Sequence, residues 1–350
     1  MKPLRPVILG FGHAGRHLHL RCLRTMVRRA PDLPLSNTID VVEPNESVDA
    51  NGHQVVHHRE LPSARVLEGQ IPVLHVCTPP SAHRQCVELA IAQGYRRIIL
   101  EKPMAPTLDE ARRIRQLAAA ASAEVLVVAV WHNSPLTRAL FDPAAGAEPS
   151  GLALVEIVHN KPRFARSLER DDEHVFDIEM PHQLALAREI LGPRATLLSA
   201  HAADLVVHGR CKPCMGSGNI TMLSPEGVMC RLVSNLHHPG RERCLTLHFH
   251  DGRRRIGHYP VSGDDCYSQL FDYSSIGALV RHEIFTDEPL TSCLETYYRH
   301  FANTHAAIRR AMPSGASLDF NVDVVSWLDQ AKRMASMRHS QENESFALAA

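Results

Sequence analysis

The sequence predicts two domains of different class: an α/β domain with a doubly wound parallel sheet over residues 1–133, then an α+β domain with an open, mainly antiparallel sheet over 134–350. Three observations predict this. The apolar run Val7-Ile8-Leu9 leads straight into Gly10-Phe11-Gly12-His13-Ala14-Gly15. Near-continuous apolar strands alternate with helical patterns up to about residue 145, as in parallel sheets covered on both faces. From about residue 151, strand-like runs follow one another across polar turns, with few helices between them.

The elements of the first half follow in order. After the glycine turn, Leu20, Leu23 and Val27 recur at helical spacing. The next strand, Ile39-Asp40-Val41-Val42, ends at Glu43, and Ile71 to Cys77 is a buried strand ending in Thr78-Pro79-Pro80. A helix then runs to Gln93, where Gly94 serves as its C-terminal stop. The strand Ile98-Ile99-Leu100 ends in Glu101-Lys102-Pro103. Thr107 and Glu110 have capping-box spacing for a helix with Ala111, Ile114, Leu117, Ala118 and Ala121 on one face. Val125 to Val130 is a further apolar strand. Ligands of such sheets bind at the carboxyl ends of the strands, where Gly12, Glu43, Thr78 and Lys102 all fall.

In the second half, strands are expected at Leu152–Val158, Ala195–Val207, Ile220–Leu223, Val228–Leu236 and Cys244–His250. Helical patterns lie at about 177–191, 268–282, 293–312 and 322–336, the last two placed to pack back on the first domain. The tail from Ser340 to Ala350 is expected to fray.

The G-x-G-x-x-G turn has a physical logic. Gly10 permits the tight turn, Gly12 lets backbone approach a pyrophosphate, and Gly15 lets helix pack on strand. The helix N-terminus behind it offers free N–H groups to phosphate. Glu43 at the second strand's tip suits a ribose diol and repels a 2′-phosphate. Glu43-Pro44-Asn45-Glu46 contains no basic residue, so NAD is expected rather than NADP. Only five lysines (2, 102, 161, 212 and 332) occur among the 38 Lys and Arg residues. A lysine at a strand's carboxyl end is therefore unlike random surface filler. Its ammonium can give up a proton when desolvated, which arginine cannot do.

Composition excludes several classes. The chain has 350 residues, 44% hydrophobic and 22% charged, with formal net charge +0 and no long block of one sign. Nucleic acid and anionic membrane surfaces are therefore not expected partners. No apolar run reaches transmembrane length and no signal peptide is evident. Nine scattered cysteines read as reduced thiols, consistent with a cytoplasmic location. Cys211-Lys-Pro-Cys214 lacks a second C-x-x-C or a spaced histidine pair, so no metal is expected.

The ordered set of motifs resembles the Gfo/Idh/MocA oxidoreductase family. It comprises Gly10 to Arg16, Cys77-Thr78-Pro79-Pro80-Ser81-Ala82-His83 and Glu101-Lys102-Pro103. It continues with His182 followed by Leu184, Ala187 and Leu191-Gly192, then Tyr298-Arg-His-Phe301 to Ala307-Ile308. The resemblance implies a Rossmann domain, a substrate cleft between it and the sheet domain, and a homodimer or homotetramer formed through the open sheet. It implies a cofactor-binding set of Gly10, Phe11, Gly12, His13, Ala14, Gly15, Glu43, Thr78, Pro79, His83, Glu101 and Lys102. It further implies hydride transfer between nicotinamide and a secondary alcohol or ketone of a polyol, sugar or sugar-like small molecule. Lys102 and His182 would assist the proton. Alternatives are a relative that retains NAD for epimerisation or glycoside cleavage, and a non-catalytic regulator that binds NAD or sugar.

The family histidine usually follows an aspartate by four residues and a glycine by two, whereas this chain has Ile178 and Met180 there. Either Glu179, which shares a helix face with His182, or Asp177 is the expected acid partner. The surrounding acids Glu169, Asp171, Asp172, Glu173, Asp177 and Glu179 read as a solvated loop, or else as a cleft that favours an amino group.

Overall fold

A computed structural model of the chain describes residues 2–45, 54–67, 69–142, 151–170, 173–263, 265–303 and 311–349. Glu46, Asp171, Asp172 and the Ala307-Ile308 pair of the C-terminal pattern lie outside these residues. The chain divides into two compact units, Met1–Asn133 with Pro289–Val325, and Ser134–Glu288 with Ser326–Ala350.

The first unit holds a six-stranded parallel sheet. Its strands are β1 (Leu4–Leu9), β2 (Thr38–Val42), β3 (Gln54–His58), β4 (Ile71–Val76), β5 (Arg97–Leu100) and β6 (Glu124–Val127). Their spatial order β3-β2-β1-β4-β5-β6, parallel throughout, is the doubly wound dinucleotide-binding arrangement. Helices α1 (Leu20–Arg29), α2 (His83–Ala92) and α3 (Leu108–Ala120) connect the strands. A single π-helical segment, Ala14–His19, leads from the glycine turn into α1. The face α1 buries is Leu20, Cys22, Leu23 and Met26, and Val27 lies beside it only half-buried. The Thr107 hydroxyl caps α3 by accepting from the Glu110 amide at 3.4 Å. Two apolar clusters flank the sheet, one with Leu23, Met26 and Ile99, the other with Val87, Ile98 and Ile114. Burial of branched side chains on both faces explains why these strands read as unbroken apolar runs.

The second unit begins with α4 (Pro135–Leu140) and contains an eight-stranded sheet. Strand β7 (Leu152–Pro162) precedes three helices, α5 (Phe164–Glu169), α6 (Val175–Ile178) and α7 (Met180–Leu191). Then come β8 (Thr196–Val207), β9 (Arg210–Leu223), β10 (Met229–Asn235), β11 (His237–Phe249), β12 (Arg254–His258), β13 (Tyr267–Tyr273) and β14 (Leu279–Thr286). The order is β14-β13-β12-β11-β7-β10-β9-β8. Every pair is antiparallel except β7 with β10. The α+β class is thus as the sequence predicts.

One expected element changes type. Residues 268–282, expected helical, fall on β13, its hairpin turn and the start of β14. Gly277 at φ +80° closes the turn, with its amide on Ser274 O at 2.9 Å. A left-handed residue inside the segment ends any helix there.

The C-terminal segment supplies α8 (Pro289–Asn303) and α9 (Leu318–Ala349). Cys293, Leu294, Tyr297, Tyr298 and Phe301 of α8 enter the first unit's core beside Leu4 and Ile8. The expectation of a frayed tail is corrected, because α9 runs to Ala349. Neither glycine nor proline occurs after Gly315, so nothing in the sequence stops the helix.

Candidate functional site

In the first unit the carboxyl ends of β1, β2, β4 and β5 lie side by side. The Gly10 amide donates to Val42 O at 3.1 Å, the Cys77 amide to Leu9 O at 2.8 Å, and the Glu101 amide to Val76 O at 3.1 Å. Gly10, Glu43, Thr78 and Lys102 therefore follow adjacent strand ends.

The three glycines divide their work as the spacing implies. Gly10 has φ +90°, and a side chain there would press on Thr78 Cγ2 at 3.0 Å. A side chain on Gly15 would overlap the Gly10 carbonyl oxygen. A Cβ on Gly12 would meet nothing within 4 Å, so the backbone there faces open space. That opening beside the start of a helix fits the pyrophosphate of a dinucleotide. His13 is exposed, Ala14 half-buried, and the Arg16 guanidinium stacks 5.0 Å from the Phe11 ring centroid.

Glu43 is held beside this turn. Its Oε2 accepts from the Phe11 amide at 3.1 Å, while Oε1 takes only a long 3.4 Å bond from the Asn45 amide. A carboxylate has roughly four lone-pair positions, so acceptor capacity remains for a ribose diol. Thr78 is half-buried and Pro79 exposed. His83 is fully buried, its ring nitrogens 3.0 Å from Thr78 O and 3.2 Å from Met104 O. Burial outweighs these carbonyls and pulls its pKa down. The imidazole thus ties the Thr78-Pro79 loop to the chain just past Lys102.

Lys102 is half-buried, and its peptide bond to Pro103 is cis. Its amide donates to Glu101 Oε2 at 3.1 Å, while Glu101 Oε1 lies 2.7 Å from His19 Nε2. Burial opposes ionisation of Glu101, but His19 and Lys102 overcome it and hold the carboxyl below its ordinary range.

The second unit carries a separate ionic cluster at the start of α7. Glu179, only 5% exposed, precedes this helix, and its carboxylate is taken up by Lys161 and by His159, both on β7. His159 Nδ1 stands 3.6 Å from Glu179 Oε2, too long for a strong hydrogen bond. Burial works against the Glu179 charge, but His159, Lys161 and Arg243 outweigh it and keep its pKa well below the ordinary carboxylate value. Burial lowers the pKa of His159, leaving it neutral. Arg243 on β11 is paired in register with His159.

His182 is half-buried in the first turn of α7, its amide on Glu179 O at 3.1 Å. The Glu179 carboxylate meets Lys161 and His159 on β7. Asp177 instead forms a 2.6 Å ion pair with Lys332. Glu173 joins Arg163 at 2.8 Å and Arg170 at 2.9 Å. Three acids of the expected solvated or amine-selecting stretch are therefore paired with cations of the chain itself.

His159, Lys161 and Arg243 escaped the sequence reading. The scarcity of lysine that drew attention to Lys102 applies equally to Lys161, and was the one signal available. Cys211 lies on β9 with its thiol 3.6 Å from Asp204 Oδ2, and the Cys214 amide donates to Asp204 Oδ1 at 2.8 Å. Among the described residues, no group of three or more His, Cys, Asp or Glu side chains is placed to hold a metal.

An open glycine turn at the switch point of a parallel sheet, with an acid at the second strand's tip, defines a dinucleotide-binding Rossmann domain. Residues 4–129 match the model of the Gfo/Idh/MocA family, described as an oxidoreductase family with an NAD-binding Rossmann fold. Solved structures share the fold across nearly the whole chain. UDP-N-acetylglucosamine 3-dehydrogenase GnnA from Acidithiobacillus ferrooxidans is 18% identical with a TM-score of 0.70, over 96% of this chain and 98% of that one. A mutant of KijD10, a 3-ketoreductase from Actinomadura kijaniata in complex with TDP-benzene and NADP, is 12% identical with a TM-score of 0.72, over 95% and 98%. A putative NADPH-dependent oxidoreductase from Desulfitobacterium hafniense is 13% identical with a TM-score of 0.75, over 97% of each chain. No curated protein matches the sequence. No helix among the described residues is long and apolar enough to cross a membrane.

Proposed function

We propose that the protein is an NAD-dependent oxidoreductase that interconverts a secondary alcohol and a ketone on a sugar, polyol or sugar-like small molecule. The observation that carries this reading is the open backbone at Gly12 between closed positions at Gly10 and Gly15. The sugar-like substrate class draws support from GnnA, named a UDP-N-acetylglucosamine 3-dehydrogenase, and the alcohol–ketone chemistry also from KijD10, named a 3-ketoreductase.

A dinucleotide bound at this turn would supply the hydride chemistry through its nicotinamide, and the protein's own groups position it and move the proton. The Gly12 backbone and the helix start would hold the pyrophosphate, and Glu43 would accept from the adenosine ribose. The Glu43 carboxylate beside Phe11 favours NAD over NADP, because a 2′-phosphate would face it directly. Lys102, at the carboxyl end of β5, would hydrogen-bond the reacting oxygen and relay its proton. His182 would assist as a second proton-handling group. With its carboxylate committed to Lys161 and His159, Glu179 acts through Lys161, an ammonium that suits a hydroxyl-rich substrate. Asp177 serves to fix α6 against Lys332.

The test is a screen of polyols, sugars and nucleotide sugars for NAD reduction, followed by NADH absorbance. Turnover of at least one such alcohol is expected. Absence of turnover across all three classes, in a protein that binds NAD, would favour a non-catalytic binder.

A further inference from the structure

Three buried side chains and the half-buried Glu101 make a continuous row beneath the glycine turn. Glu101 Oε1 lies 2.7 Å from His19 Nε2, His19 Nδ1 lies 2.8 Å from His75 Nδ1, and His75 Nε2 lies 2.7 Å from the Tyr298 hydroxyl. They come from four places in the first unit. His19 ends the π-helical segment after Gly15, His75 is on β4, Glu101 follows β5, and Tyr298 is on α8. His19, His75 and Tyr298 are completely inaccessible to solvent.

Hydrogen counting restricts this row. Only one hydrogen fits between two facing Nδ1 atoms. With Glu101 ionised, His19 Nε2 must carry a hydrogen. In the neutral pair all donors point one way: Tyr298 O–H to His75, His75 Nδ1–H to His19, and His19 Nε2–H to Glu101. One added proton makes His19 an imidazolium that donates from both nitrogens, and His75 then donates to the Tyr298 oxygen. A second proton would set two N–H groups against each other. The row therefore accommodates one extra proton, and it belongs on His19, next to the carboxylate.

We propose that His19 is a positioning residue for Lys102: as an imidazolium it clamps the Glu101 carboxylate, and through it the Lys102 amide, tying the phosphate-binding helix to the lysine turn. The clamp deepens the role given above to Lys102 and rests on that reading only for its effect on turnover. The groups facing His19 agree with the proton count. They are Glu101 after β5, His75 on β4 and Cys77 just past that strand; Tyr298 of α8 meets the far side of His75, and Lys102 with Tyr297 and Cys293 of α8 acts on Glu101. Burial disfavours a charge on His19, but Cys77 and Glu101 outweigh it and raise its pKa well above the ordinary value. Burial and the charge on His19 together depress His75.

The test uses the full chain with ¹⁵N-labelled histidine and ¹³C-dimethylated lysines, a modification that keeps the lysine charge. Lys102 is identified by the signal lost in Lys102→Arg. The His19 imidazole should stay protonated through neutrality, and Glu101→Gln should move its titration down. The Lys102 methyl signal should show a step at the pH where His19 deprotonates. That step should vanish in His19→Gln, which keeps an amide donor to Glu101 but cannot be charged. A His19 that titrates like a free imidazole, or a Lys102 step that survives His19→Gln, would overturn the clamp. If His19→Gln does not fold, His75→Leu removes the acceptor facing Nδ1 and should lower the His19 titration, and an unmoved titration overturns the proposal equally. Neither signal needs turnover, so an inactive protein could still support the clamp. An active enzyme with an ordinary His19 would reject the clamp alone.

Discussion

Lys102 and Glu43 are the two side chains on which the proposed reaction and its cofactor choice depend. Lys102→Met should leave the melting temperature and NAD affinity nearly intact and lower turnover by roughly 10²–10⁴-fold, the usual contribution of a positioned proton-transfer group. Single-turnover kinetics with saturating NAD would check this, and near-normal rates would remove Lys102 from proton transfer. Glu43→Ser, with an arginine introduced beside it, should narrow the preference for NAD over NADP in a fluorescence titration. A wild-type protein that prefers NADP would refute the role given to the carboxylate. Both residues were legible in the sequence because each ends an apolar strand, where parallel sheets place ligands. The partners of Glu179 were not. Lys161 and His159 stand on a strand some twenty residues earlier, and only the sheet's pairing with α7 brings them to the carboxylate.

At the scale of elements, the strand–turn–helix unit at the N-terminus carries the most information. Gly15→Ala should destabilise the domain and abolish NAD binding together, since the added methyl overlaps the Gly10 carbonyl and must push helix from strand. Thermal melts with and without NAD would show it, and a melting temperature unchanged from wild type would contradict the packing role. The parallel sheet was readable because burial on both faces leaves long apolar runs. The β13–β14 hairpin was misread as a helix because its apolar residues also satisfy helical spacing. The deciding residue is Gly277, whose left-handed conformation only the backbone reveals. The start of α7 was half legible: Pro181 and His182 marked the first turn, but the direction of the Glu179 side chain was not encoded locally.

For the whole molecule, the buried histidines give stability a definite dependence on pH. His19 has a raised pKa in the folded state, so its contribution is fully present below its ordinary value of 6.5 and is lost as pH rises through the raised value. The difference in melting temperature between wild type and His19→Gln should therefore be largest near pH 6 and shrink in alkaline buffer, as calorimetric scans would show. A difference independent of pH would mean that His19 contributes packing alone. His75, depressed by burial, works the other way and weakens the fold as pH falls below 6.5. The central claim is narrower: the turn from Gly10 to Gly15 is open for a dinucleotide. Gly12 tests it most directly, because a side chain there meets nothing within 4 Å in the protein itself. Calorimetric titration of NAD into wild type and Gly12→Val, with melts of both, separates fold from binding. The account predicts unchanged melting and at least a tenfold loss of NAD affinity, about 1.4 kcal/mol. Equal affinity in the two proteins, or no NAD binding to the wild type, would contradict it.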